Sequence, residues 1–128
     1  MKSKVLFFYL LMLLAHAAHV FEEAWGRFWI VNRLGLGLFL AVNAALFAIP
    51  AALFYGVIKR KRRAFQLSIV YAAFMGLQGI GHNAATIVSG RYYDGFAGGI
   101  SGIAMLLIAI PLIRHLIKAM PDSRTKPI

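Results

Sequence analysis

Four apolar stretches, each twenty or more residues long, are separated by short polar breaks: Val5–Ala24, Leu34–Ile58, Ala64–Ser89 and Phe96–Ile117. A helix of about 20 residues is roughly 30 Å long, the thickness of a bilayer's hydrocarbon core. None of the stretches alternates apolar with polar at period two. A lipid-exposed sheet would also have to close into a barrel to satisfy its backbone. The pattern therefore predicts an all-α fold, a single transmembrane domain built as a polytopic four-helix bundle.

Composition supports that reading. Of the 128 residues, 61% are hydrophobic and 14% charged, against roughly 45–50% and 25% in ordinary soluble domains. A chain this short cannot hide so much apolar side chain in a core of its own, so lipid is the expected solvent. The absence of cysteine removes disulfide scaffolds and thiolate metal sites. Fourteen Lys and Arg against four Asp and Glu give a net charge of +10, which raises the question of nucleic acid. The cations, however, sit in clusters between the apolar runs rather than as a stripe on a soluble face, so no nucleic-acid partner is expected.

Those clusters set an orientation instead. With the N-terminus inside, Lys2, Lys4, the Lys59–Arg63 run, Arg114, Lys118, Arg124 and Lys126 are cytoplasmic, while Arg27, Arg33 and Arg91 lie outside. The positive-inside rule selects this arrangement, with both termini cytoplasmic. The expected outer connections are then Trp25–Arg33 and Gly90–Gly95, with Trp25, Phe28, Trp29, Tyr92 and Tyr93 as interfacial aromatics. A bacterial plasma membrane is the expected location. An alternative treats Met1–Ala17 as a signal peptide, since Ala15-His16-Ala17 has the small-x-small form of a cleavage site. The helical pattern that continues past this point, with histidines beside the site, favours a retained first span.

Ionisable residues inside a span oppose insertion and are functional candidates by default. In the first helix these are His16, His19, Glu22 and Glu23, which fall on an arc of about 120° at 100° per residue. One more turn adds Arg27 to the same stripe. Glu22 and Glu23 lie at the C-terminal end of their helix, where the partial negative charge of free carbonyls opposes them. They need a cation nearby: Arg27, Arg33, a proton, a protonated histidine or a metal ion. The third helix brings His82 and Asn83 to the same depth, with Gln78, His82 and Thr86 on one face, and Asn43 of the second helix lies at a similar level. Two imidazoles and a carboxylate suit a divalent metal, zinc or iron, with positions left open. The expected ligands are His19, Glu22, Glu23 and His82, with Glu23 also available as a general base. His16, Arg27, Asn43, Gln78, Asn83 and Arg91 are supporting polar groups. Gly95/Gly99, Gly98/Gly102 and Ala72/Gly76 provide small-xxx-small spacings for close packing at this level. Pro50 and Pro111 are expected to bend their helices, and Asp94 to cap the start of the last one.

His19-Val20-Phe21-Glu22-Glu23 resembles the motif that names the HXXEE family of small integral membrane proteins. The likeness extends to Gly81-His82-Asn83, to Arg91-Tyr92-Tyr93 and to the proline-containing last helix, covering residues 12–116. One departure is Asp94 before Gly95, where the family pattern has a Tyr-x-Pro-Gly turn. The resemblance implies a membrane fold and marks the same His and Glu residues; it supplies no reaction.

Three functions fit the sequence. The first is a metal-dependent hydrolase or oxidoreductase acting on a lipid-like substrate. The second is a proton, cation or small-molecule carrier, for which a homodimer is expected because four helices line only a narrow path. The third is an assembly subunit whose polar cluster is structural. No Walker sequence, haem-attachment motif or Ser/His/Asp pattern is present.

Overall fold

The computed structural model describes residues 2–122 and is helical from end to end, with no strand among the described residues. Five helices follow one another: α1 (Lys2–Trp25), α2 (Trp29–Leu34), α3 (Leu36–Ile58), α4 (Arg62–Ser89) and α5 (Gly99–Ala119). All but α2 are long and apolar enough to cross a membrane. Of the expected cations, Arg124 and Lys126 lie outside the described residues.

Short connections make the long helices run alternately up and down. α1, α4 and α5 form the tight part of the bundle. Its core is Val5, Tyr9 and Met12 of α1, Phe65, Ala72 and Met75 of α4, and Met105, Ala109, Leu112 and Leu116 of α5. Helices in lipid associate through close van der Waals packing rather than hydrophobic exclusion, and the closest approach here is Gly79 on Gly102. A Cβ on Gly79 would fall 2.1 Å from the Gly102 carbonyl oxygen. Gly102 belongs to an expected small-residue pair. Across the crossing it meets Gly79, which the sequence spacings did not single out, while Gly76 of the Ala72/Gly76 pair meets Ala109.

α3 behaves differently. Only Phe39, Pro50, Gly56 and Val57 of its residues are buried. It is held near the 59–63 end, where Gly56 lies against Ala64 and the Tyr9 hydroxyl donates to the Pro50 carbonyl at 3.2 Å. Ser68 Oγ shares a further hydrogen bond with that hydroxyl at 3.0 Å. Pro50 and Pro111 both sit inside their helices, as expected.

Two boundaries differ from the sequence pattern. The expected outer connection 25–33 contains α2, and the second span starts at Leu36, because Gly35 breaks the helix at φ +79°. The last span starts at Gly99, three residues later than expected. Residues 97 and 98, after a single turn at Tyr92–Phe96, are unwound, with Ala97 extended and Gly98 at φ +128°. Asp94, expected to cap α5, adopts φ +55° in the preceding turn and makes no such cap. Its backbone N–H instead donates to the Gly26 carbonyl at 2.9 Å.

Gly79→Ala should push α4 and α5 apart and cost about 1–3 kcal/mol, the usual range for overpacking. Gly81→Ala should be neutral or mildly stabilising, since nothing lies within 4 Å of its Cβ position. Thermal unfolding in detergent compares the two; equal melting temperatures would contradict the Gly79–Gly102 contact.

Candidate metal centre

The stripe on α1 and the stripe on α4 face each other at the α2 end of the bundle. His19, Glu23 and His82 meet there, with only 2%, 6% and 8% of their surfaces exposed. Glu23 Oε1 lies 3.4 Å from His19 Nε2 and 3.2 Å from His82 Nε2. The two imidazoles pack edge to face, their centroids 4.8 Å apart, and Phe28 covers His82 from the start of α2 at 4.8 Å. One ligand atom from each of the three residues can be chosen so that all lie within 4.8 Å of one another.

The other nitrogen of each ring is committed. His19 Nδ1 lies 3.1 Å from the Gly98 carbonyl and 3.0 Å from Ser101 Oγ. His82 Nδ1 lies 3.2 Å from the Phe96 carbonyl. A carbonyl oxygen only accepts, so both rings carry their proton on Nδ1 and donate it there. The 92–96 turn and the break at Gly98, just before α5, supply these acceptors. In a neutral ring Nε2 is then a lone pair, and two such lone pairs face one carboxylate oxygen. That arrangement repels unless the rings are protonated at Nε2 as well, which the Gln78 Oε1 acceptor 3.3 Å from His19 Nε2 would also suit, or a cation lies between them. Ligands 2.0–2.1 Å from a tetrahedral zinc ion are about 3.3 Å apart, close to both observed nitrogen–oxygen distances.

Glu22 does not join this group. Expected as a ligand, it is turned about 100° from Glu23 on the helix and reaches the start of α5. Its Oε1 accepts from the Tyr92 hydroxyl at 2.5 Å and from Ile100 N–H at 2.9 Å. Its Oε2 accepts from Ser101 N–H at 2.7 Å and from the Ser101 hydroxyl. The free N–H groups and positive dipole of α5 offset the unfavourable end of α1. Burial, then the hydrogen bond to Glu22, raise the Tyr92 pKa well above the ordinary phenol range, so the hydroxyl stays protonated and donates.

The arginines proposed as counter-ions are elsewhere. Arg27 pairs with Asp94 at 3.9 Å, both largely exposed; Arg33 lies over the Trp29 ring at 5.8 Å. Arg91 donates to the Asp94 carbonyl at 3.2 Å and braces the 92–96 turn. Asn83 acts in support, donating to the Gly79 and Gly99 carbonyls at 2.8 and 2.9 Å. Gln78 Oε1 is 3.3 Å from His19 Nε2. Asn43 donates to Phe39 of its own helix and touches the site only by lining the cavity beside it. His16, one turn below His19, is 3.0 Å from the Tyr71 hydroxyl.

Sequence reasoning missed Ser101, Tyr71 and the two carbonyls. Tyr71 stands seven residues before Gln78 and eleven before His82, on the same helical stripe. Ser101 carried a weaker signal, a lone hydroxyl among the glycines that start the last helix. The carbonyls carry none, because every residue has one. Compared with models of protein families, with curated proteins and with solved structures, the chain matches none.

Glu22→Ala should release the N-terminus of α5 and cost about 1–2 kcal/mol, as loss of a strong helix cap does. Asp94→Ala, which removes only an exposed ion pair, should cost under about 0.5 kcal/mol. Urea or thermal unfolding of the two variants in one detergent checks the order; a more damaging Asp94→Ala would refute the cap assignment.

Proposed function

We infer that the chain is an integral membrane enzyme in which His19, Glu23 and His82 hold a divalent metal, zinc or iron(II). It would carry out hydrolysis or oxidation on a lipid-like substrate. The observation that supports this most is the commitment of both Nδ1 protons to main-chain carbonyls, with both Nε2 atoms aimed at one Glu23 oxygen. Metal-bound histidines characteristically spend their second nitrogen in this way, which fixes the tautomer and the ring plane. Two histidines and one carboxylate leave coordination positions open, and an ion there would act as a Lewis acid toward a substrate oxygen. Glu23 is then a ligand, Glu22 a structural cap, and Ser101 a positioning group for His19. The likeness to the HXXEE motif points to the same pair of α1 residues.

A second reading is a proton relay, favoured by the His16–Tyr71 pair one turn deeper on the same face. The two readings differ in what occupies the space between the Nε2 atoms, a metal ion or protons.

Purified protein should carry about one equivalent of metal per chain by elemental analysis. His19→Ala and His82→Ala should abolish it, and Glu22→Gln should retain it. Ser101→Ala should weaken binding about tenfold, the lower end for loss of a group that orients a ligand. Affinity should fall on acidification, because Nε2 must be unprotonated to bind. Metal-free protein that stays folded, with both histidine variants as stable as the parent, would sink the metal reading and leave the relay.

Orientation follows from charge. The basic 59–63 end is cytoplasmic and the α2 end, with the metal centre, lies in the outer half of the membrane. The chain has no cysteine, so single cysteines report topology cleanly. Tyr93→Cys should react with an impermeant maleimide from outside intact cells, and Arg60→Cys only after lysis. The reverse pattern would overturn this orientation.

A further inference from the structure

A cavity of about 700 Å³ opens beside the metal centre, between α3 and the face formed by α1 and α4. Its volume is that of a small-molecule site, and its shape follows from how α3 is held. Near the 59–63 end, Gly56 against Ala64 and Tyr9 on Pro50 draw α3 in. Toward the other end α3 stands away from α4, and Val42, Leu46 and Ile49 line the gap while remaining 42%, 52% and 58% exposed. Phe74 of α4, also lining and 55% exposed, forms the opposite lip. The rim therefore runs between two membrane-spanning helices, at hydrocarbon depth. Above the gap, Phe28, Trp29 and Leu34 form a roof over the cavity.

The chemistry of the wall is one-sided. The α3 side and the lips are aliphatic or aromatic apart from Asn43, whose amide donates to the Phe39 carbonyl of its own helix. The other polar groups, His19, Glu23 and His82 with Gln78, His16 and Tyr71, belong to the α1–α4 wall. No Lys or Arg lines the cavity, so a phosphate dianion would meet no side-chain cation there, and an ion at the centre would already be half offset by Glu23. A cavity with this division suits a molecule whose long part is apolar and whose end is a small oxygen function.

We propose that this cavity takes a single-chain amphiphile with an uncharged oxygen head, an alcohol, aldehyde or ester, entering sideways from the bilayer between α3 and α4. The head lies at His19, Glu23 and His82, and the chain runs along Val42, Leu46 and Ile49 toward the lipid. This names the substrate class for the centre described above and rests on that reading for its chemistry, though not for its shape. A second copy of the chain closing the same gap would present helix side chains and leave the polar wall without a partner.

The test uses hexadecanol carrying a diazirine beside its hydroxyl, photolysed with the full-length protein in phosphatidylcholine vesicles. Labelling should be saturable, be displaced by unlabelled hexadecanol and map to the cavity face around Met75 and Gln78. Val42→Trp and Leu46→Trp, which fill the gap from loosely packed α3, should each reduce that labelling at least tenfold while metal content stays at the parent value. Hexadecyl phosphate should compete at least tenfold more weakly than the alcohol. His82→Ala, read for metal and for labelling separately, distinguishes the two claims. Loss of metal with labelling kept supports the cavity assignment, whereas a metal-free parent that still labels overturns the centre and not the cavity. Unsaturable labelling, unchanged labelling in both tryptophan variants, or equal competition by the phosphate would overturn the proposal. So would protection of the cavity by dimerisation, seen as chain-to-chain crosslinks from Leu46→Cys.

Discussion

Two hydrogen bonds from imidazole nitrogens to main-chain carbonyls, His19 to Gly98 and His82 to Phe96, are the interactions on which the α2 end of the bundle depends. A buried polar group left unpaired costs about 1–3 kcal/mol even in a soluble interior, and a hydrocarbon surround offers no water as a substitute. Each ring therefore needs an acceptor. The chain supplies them from the Phe96 carbonyl at the end of the 92–96 turn and from Gly98 in the break before α5. Gly98, at φ +128°, is the residue that allows it, and a Cβ there would fall 2.7 Å from the His19 ring. Helix start, histidine tautomer and ring plane are thus one problem with one solution.

The close crossing of α4 over α5 is the second half of that solution. Gly79 on Gly102 brings the two backbones together one turn from His82. Asn83 then joins them, donating to a carbonyl of each helix. With α4 and α5 locked, α1 completes the group by placing His19 and Glu23 against His82, and Glu22 ties α1 to the first N–H groups of α5. Only α3 is left out of this network. Its looseness at the α2 end is the counterpart of the tight three-helix core, and it leaves the cavity beside His19, Glu23 and His82.

Much of this was legible in the sequence, and the division between what was and what was not has physical causes. Hydrophobic run length gives the four spans because membrane thickness sets it. Angular position along a helix gives His19 and Glu23 as neighbours, and depth counting brings His82 to their level. The start of α5 and the α2 turn were not legible, because each is set by a glycine with positive φ and by carbonyls that need donors from other helices. The capping role expected of Asp94 failed for a related reason. Sequence proximity favoured Asp94, but α5 is capped by Glu22, a residue 78 positions before Ile100 in the chain. The Gly79–Gly102 pair was half legible: small residues mark both helices, yet only the crossing decides which of them touch.

The adjacent carboxylates show how far one helical step separates two roles. Glu22 and Glu23 have the same chemistry, the same depth and nearly the same place in the chain, and composition singles them out together. About 100° of rotation sends one toward N–H and O–H donors and the other toward two imidazole nitrogens. Glu22, surrounded by four donors, has its charge accommodated by the protein itself. Glu23 faces two imidazole Nε2 atoms, 3.4 and 3.2 Å from one of its oxygens. Its charge is balanced either by protons on those rings or by an ion held between them. A buried carboxylate whose partners are two titratable rings, beside a cavity, is a more specific sign of chemistry than the pair of acids from which it came.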